Sequence, residues 1–343
     1  AYVRCVSFSL QLCMTMTHDT RRSPRAVGRA EGALGTRGLR TGSPLRPDRS
    51  PLAALRRIEQ ALTAAVAAGE GPGGPPLLSA AIRHAVFPGG ARIRPRLCLA
   101  VAQACGDDDP KLADAAAAAI ELLHCASLVH DDLPCFDDAP TRRGMPSVHS
   151  RFGERIAVLT GDALIVLAFQ IVAAAASAQP QRLGPVLAAV ARGVGTPAGI
   201  VAGQACECEP YVALAAYQRA KTGSLFAACT EVGALAAGAD PSPWRAFGLY
   251  LGEAYQVADD IRDVAASIEV MGKPPGRDVA LHRPSSASEL GLGGAIAHFD
   301  RLVAQAIEAV PECDGAALLR AIVRSESARL VPEDTVRVVA LAA

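Results

Sequence analysis

The amino-acid sequence predicts an all-α protein built as one large helical bundle. Half of the 343 residues are hydrophobic, enough for a large core, yet only 4% are aromatic. Ala and Leu, both strong helix formers, recur in runs, and apolar residues repeat at helical spacing rather than alternating as in strands. Strand–turn–helix units with Gly-rich phosphate turns are absent from the sequence.

The elements follow in order. Residues 1–50 are rich in Arg, Gly, Ser and Pro, sustain no apolar period, and read as a disordered N-terminal extension ahead of a helical domain over 51–343. An Arg-rich, acid-poor leader also suits an organelle transit peptide. Met14 and Met16 inside it, and the Ala/Arg/Gly/Pro-heavy composition throughout, favour a bacterial chain acting in the cytoplasm. Pro51 starts a helix running to Ala68, and Gly69–Pro76 breaks it. A second helix covers Leu77–Phe87 and ends at Pro88-Gly89-Gly90; a third covers Pro95–Cys105. Asp107-Asp108-Asp109-Pro110 caps a long fourth helix ending near Asp132. Three prolines and a glycine make 133–150 a loop. Further helices are expected at about 153–178, 181–193, 197–206, 211–238, 242–270, 285–309 and 314–324. The run Ile156–Ala178 is long enough for a bilayer, which takes about 20 residues. Asp162 and Gln170 within it argue for a buried core helix and against stable membrane insertion.

Lys plus Arg and Asp plus Glu each number 34, so the formal net charge is zero. That balance carries no footprint for nucleic acid. The ten cysteines form no CxxC pairs, the pattern of reduced thiols in a cytosolic protein.

Chemistry concentrates in two acidic segments. His130-Asp131-Asp132-Leu133-Pro134-Cys135-Phe136-Asp137-Asp138 holds four carboxylates that repel one another unless a cation sits among them. Pro134 ends the helix, which lets Asp137 fold back towards Asp131. In Gln256-Val257-Ala258-Asp259-Asp260-Ile261-Arg262-Asp263, the aspartates 259 and 263 share a helix face. Taken singly, each segment also reads as an acidic surface. Two such walls facing across a central cavity would hold Mg²⁺ and a diphosphate between them. Basic residues bracket the acids: Arg92 and Arg94 after Gly89-Gly90, Arg142-Arg143 after the first segment, Lys221 within an apolar helix, and Lys273 after the second segment. Guanidinium forks match phosphate oxygens.

Together these motifs resemble the trans-isoprenyl diphosphate synthases, in particular the bacterial geranylgeranyl diphosphate synthases of carotenoid biosynthesis. The resemblance spans roughly residues 52–325. It rests on Gly-Gly-Ala-Arg-Ile-Arg-Pro (89–95), Glu-Leu-Leu-His-Cys-Ala-Ser-Leu-Val-His-Asp-Asp (121–132), Arg-Arg-Gly-Met-Pro-Ser (142–147), Gly-Asp-Ala-Leu (161–164), Lys-Thr-Gly-Ser-Leu-Phe (221–226) and the second acidic segment. It implies an isoprenoid synthase-like bundle acting as a homodimer on isopentenyl diphosphate and an allylic diphosphate (dimethylallyl, geranyl or farnesyl), with three Mg²⁺ ions per site. It also implies that Asp131, Asp137 and Asp259 bind metal, with Asp132, Asp260 and Asp263 in support. Arg142, Lys221 and Lys273 grip the allylic diphosphate. Arg94, His124 and Arg143 grip isopentenyl diphosphate, with Arg92 beside them. Thr222 and Gln256 lie near the allylic carbons. In that chemistry the allylic diphosphate departs, the double bond of isopentenyl diphosphate attacks the carbocation, and proton loss to the departed diphosphate restores an allylic product.

Three positions depart from the family pattern. Ala91 stands where a lysine is usual, which bears on isopentenyl diphosphate affinity; Arg277 stands for a lysine; Ala139 stands for an aspartate. Relatives that stop at fifteen carbons carry an aromatic five residues before the first aspartate. Ala126 and Ser127 are small there, so a twenty-carbon product is expected. Farnesyl or longer-chain synthesis and a non-catalytic regulatory subunit are the alternatives. A class I terpene cyclase would need no second diphosphate site, and Arg94, His124 and Arg143 argue against it.

Overall fold

The structure is a computed structural model that describes residues 50–332 apart from Pro88, Asp108 and 270–284. The expected extension over most of 1–50, Lys273, Arg277 and the tail from 333 lie outside the described residues. The described chain folds into helices: α1 (Pro51–Ala68), α2 (Pro76–Val86), α3 (Ile93–Ala104), α4 (Pro110–Asp131), α5 (Val148–Phe152), α6 (Glu154–Ala175), α7 (Pro180–Val194), α8 (Ile200–Ala205), α9 (Leu214–Gln218), α10 (Ser224–Ala236), α11 (Arg245–Glu269), α12 (Ser286–Glu308) and α13 (Ala316–Leu330).

Local chemistry sets several of these boundaries. Ser50 accepts a hydrogen bond from the Ala53 amide at 3.2 Å, with Pro51 in the first turn of α1. Asp109 does the same for Leu112 at 3.3 Å, ahead of Pro110 in α4. α4 and α10 are the central pair. Small residues such as Ala116–Ala119 let neighbours approach α4 closely, and nearly every α10 side chain is buried. α3, α6, α7 and α11 pack around this pair.

The structure departs from expectation at four places. Residues 133–150 contain a minimal hairpin, β1 (Thr141–Arg142) and β2 (Met145–Pro146), followed by α5. Its two central residues, Arg143 and Gly144, both have positive φ, 53° and 77°, the backbone of a type I′ turn. Helix 211–238 is divided by a π-helical turn, Arg219–Gly223, between α9 and α10. The last helix continues to Leu330. Lastly, α6 is not a buried core helix: one face packs against α4, while Val158, Leu159 and Val166 are exposed. Hydropathy reports composition, and α6 is apolar on both its packed and its open face. Every cysteine among the described residues is a free thiol.

Candidate active site

α4 delivers His124, Ser127, Leu128 and Asp131 along one face, at the three- and four-residue spacing that aligns side chains on a helix. Beyond α4 the chain turns sharply. The amide of Asp137 donates to the Asp131 carbonyl at 2.9 Å and that of Ala139 to the Asp132 carbonyl at 3.1 Å. Asp137 is thereby folded back onto the end of α4. On the opposite wall, Gln256, Asp259 and Asp263 of α11 face the same cavity, of about 340 Å³. Lys221 and Thr222 enter from the π-helical turn and Arg142 from the hairpin.

The π turn is itself a means of presentation, since such bulges re-aim side chains out of the α-helical register. It lies against α8, where a Cβ on Gly203 would come within 2.4 Å of the Lys221 backbone. Only glycine permits that approach.

A second cavity, of about 610 Å³, shares Arg94, His124, Leu128, Arg142 and Asp259 with the first, so the two are arms of one cleft. Arg143 lines the second arm. Arg94 lies over the Phe226 ring at 4.7 Å, and its Nη1 is 3.4 Å from His124 Nε2. The buried Arg94 Nε has no hydrogen-bond partner, a donor awaiting an acceptor. Burial, then the charges of Arg94, Arg143, Arg142 and Arg92, hold the His124 imidazole well below its usual range. This arm is built for an anion.

The acidic arm has the opposite character. Burial pushes the Asp131 carboxyl up; Lys221 and a 2.8 Å hydrogen bond from Gln204 oppose the shift, and Asp137 and Glu207 add to it. Lys221 pairs with Glu207, which also accepts from the Tyr217 hydroxyl at 2.6 Å. Among the described residues no three Asp, Glu, His or Cys side chains converge into a closed metal cage. An open set of carboxylates suits Mg²⁺, which takes one or two protein carboxylates and completes its shell with water and substrate phosphates.

Three expected site residues are placed otherwise. Arg92 is not in the substrate cleft by its guanidinium, which is 1% exposed: Nε reaches Glu59 at 2.8 Å, Nη1 reaches Glu121 at 2.7 Å and Nη2 reaches the Val86 carbonyl at 2.9 Å. A Cβ at Gly89 would collide with that guanidinium, 2.0 Å from its carbon. Asp260 is buried and turned from the cleft, because neighbouring helix residues point about 100° apart. Its carboxylate accepts from Gln218 at 3.0 Å, Gln256 at 3.1 Å and the Ser286 amide at 2.7 Å. Ala126 belongs to the apolar core, while Ser127 lines the cleft. Asp132 is also buried and holds Arg142, whose Nε donates to its Oδ1 at 3.0 Å. Thr222 donates to Gln256 at 2.6 Å, and Asp259 pairs with Arg262. Sequence reasoning missed Gln204 and Glu207, whose i, i+3 spacing puts them on one side of a helix facing Lys221 and Asp131.

Residues 75–310 match the family model described as "Polyprenyl synthetase". The chain is 52% identical to a geranylgeranyl diphosphate synthase of Cereibacter sphaeroides, over 81% of this chain and 96% of that protein. It is 48% identical to a geranylgeranyl diphosphate synthase of Rhodobacter capsulatus, over 78% and 93%. Among solved structures, the fold matches an apo FPP/GFPP synthase of Zymomonas mobilis with a TM-score of 0.69 and 30% identity, over 80% of this chain and 98% of that one. It also matches a Helicobacter pylori geranyltransferase solved with magnesium and isoprenyl diphosphate, with a TM-score of 0.68 and 28% identity, over 82% and 99%.

Proposed function

The chain belongs to the polyprenyl synthetase family and is a prenyltransferase, and from that premise we propose that it joins isopentenyl diphosphate to an allylic diphosphate to make geranylgeranyl diphosphate. One observation carries the reading: two carboxylate walls and a cluster of arginines border a single two-armed cleft. The identity to two bacterial geranylgeranyl diphosphate synthases supports the product.

In this reading Asp131, Asp137 and Asp259 hold Mg²⁺, which supplies charge neutralisation to the departing diphosphate. Lys221 and Arg142 bind the oxygens of that diphosphate, and Asp132 keeps the Arg142 fork aimed. The hydroxyl of Thr222 and the amide of Gln256 turn their dipoles to the allylic carbons as positive charge develops. Arg94 and Arg143, with a neutral His124, hold isopentenyl diphosphate in the second arm. The half-buried wall of Ser127 and Leu128 shields the carbocation from water. The same reading has the enzyme act in the cytoplasm as a homodimer, with the exposed apolar face of α6 meeting its counterpart on a second copy.

The test is a product assay. Protein, Mg²⁺, labelled isopentenyl diphosphate and farnesyl diphosphate are incubated, and the dephosphorylated products are resolved by length. Geranylgeraniol that disappears with EDTA is expected. Longer prenols would refute the product length, and no elongation from any allylic starter would refute the reading.

A further inference from the structure

The lining of the second arm includes Gly90 and Ala91, whose own side chains carry no charge, and Arg329 at the end of α13. The Arg143 guanidinium lies against Gly90, about 3.1 Å from where a Cβ there would stand. Arg329 is no loose surface arginine. Its Nε donates to Glu326 at 2.9 Å, and its Nη2 lies 3.4 Å from the Tyr255 hydroxyl. Glu326 is buried and also accepts from the Tyr255 hydroxyl at 2.9 Å, with Arg96 at 3.5 Å. A carboxylate fixed by α3 and α11 therefore fixes the guanidinium of α13. Among the described residues Arg329 Nη1 forms no hydrogen bond, and the side chain, which lines the arm, remains about half exposed. Rotamer freedom, the usual cost of using a long cation, is already spent in the folded protein.

We propose that Arg329 is a specificity-determining residue for isopentenyl diphosphate, closing over its diphosphate from α13 and supplying the cation that Ala91 does not. The arm also holds the half-buried Arg94, whose Nε has no hydrogen-bond partner, and the exposed Arg143, so the oxygens of a diphosphate seated there meet cations from α3, the hairpin and α13. A guanidinium held by Glu326 and Tyr255 on one edge keeps its other edge for those oxygens. The inference rests on the reading of this arm as the isopentenyl diphosphate site.

The experiment is calorimetric titration of the full chain with isopentenyl diphosphate, paired with steady-state elongation of farnesyl diphosphate. Arg329→Gln is expected to weaken isopentenyl diphosphate about 10- to 100-fold, the range for one charge-assisted hydrogen-bonding pair. KM for farnesyl diphosphate is expected to stay within about twofold. Adding Ala91→Lys to Arg329→Gln is expected to restore much of the affinity. Should Arg329→Gln destabilise the fold by stranding Glu326, the double variant Glu326→Gln/Arg329→Gln leaves no unpaired buried carboxylate and carries the same expectation. Unchanged affinity for isopentenyl diphosphate, or equal losses for both substrates, would overturn the proposal while leaving the function intact. Wild-type protein that binds no isopentenyl diphosphate would overturn both.

Discussion

Arg92 and Arg94 lie two residues apart in one motif, yet their removal should have opposite consequences. Arg92→Ala takes away a guanidinium that is 1% exposed and strands Glu121, itself 3% exposed, 2.7 Å from where the charge stood. Breaking a buried pair by deleting one partner costs about 3–5 kcal/mol, because the remaining charge is uncompensated. The Glu59 arm is 40% exposed and adds less than about 1 kcal/mol. At about 2–4 °C per kcal/mol for a domain of this size, Tm should fall by roughly 6–20 °C. Arg94→Ala removes a cation over Phe226 and an unpartnered Nε, with about 0.5–2 kcal/mol of packing and cation–π attraction. Its Tm should fall by only a few degrees, while KM for isopentenyl diphosphate rises roughly 10- to 100-fold. Thermal melts and paired KM measurements on both variants decide the matter. An Arg92→Ala protein that melts within about 2 °C of wild type and binds isopentenyl diphosphate poorly would refute the assignment of Arg92 to the frame.

Two further outcomes follow from the acidic arm and its wall. Burial and the neighbouring Asp137 and Glu207 raise the Asp131 carboxyl, so the native state holds that proton more tightly than the unfolded chain. Its contribution to stability is full below the ordinary aspartate range and is lost as pH rises through the raised value. Metal-free Asp131→Asn should therefore melt higher than wild type at neutral pH while losing elongation; a lower Tm in EDTA at that pH would contradict the sign. Ser127 lines the cleft about one helical turn, roughly 5.4 Å, before Asp131, and a Phe there would fill space that a growing chain needs. Ser127→Phe should shift the product from geranylgeraniol to farnesol, whereas Ala126→Phe should overpack the core by about 1–3 kcal/mol. An unchanged product profile for Ser127→Phe would sink the assignment.

What was legible in the sequence is local or periodic. Ser50-Pro51 and Asp109-Pro110 mark helix starts because capping involves only neighbouring residues. The return of Asp137 to Asp131 follows from Pro134, and the pairing of Asp259 with Asp263 from the helix period. What was not legible depends on distant partners or rare backbone. The hairpin turn uses Arg143-Gly144, with none of the Asn-Gly signal that marks such turns, and the π turn at Lys221 has no composition of its own. Arg92 looks like any arginine of a phosphate clamp until Glu59 and Glu121 are brought beside it from other helices. Glu207, between Cys206 and Cys208, shows its role only when Lys221 and Tyr217 are brought beside it.

The doubled aspartates resolve into a division of labour that helix geometry imposes. Adjacent residues point about 100° apart, so on two facing helices, at the end of α4 and within α11, one of each pair meets the cleft and the other is turned into the bundle. Asp131 and Asp259 face the cleft; Asp132 and Asp260 are 3% and 2% exposed. The buried members are not spare charge. Asp132 holds the Arg142 fork, and Asp260 fixes Gln256, through it Thr222, and the start of α12. Glu326 does the same for Arg329. Arg142, Gln256 and Arg329 thus each have a buried carboxylate behind them, where hydrogen bonds are strongest. Such backing keeps the donors in place when substrate is absent, which is the preorganisation that electrostatic catalysis requires. Half of each aspartate pair therefore belongs to the scaffold: Asp132 aims the Arg142 cation, and Asp260 aims the neutral pair Gln256 and Thr222.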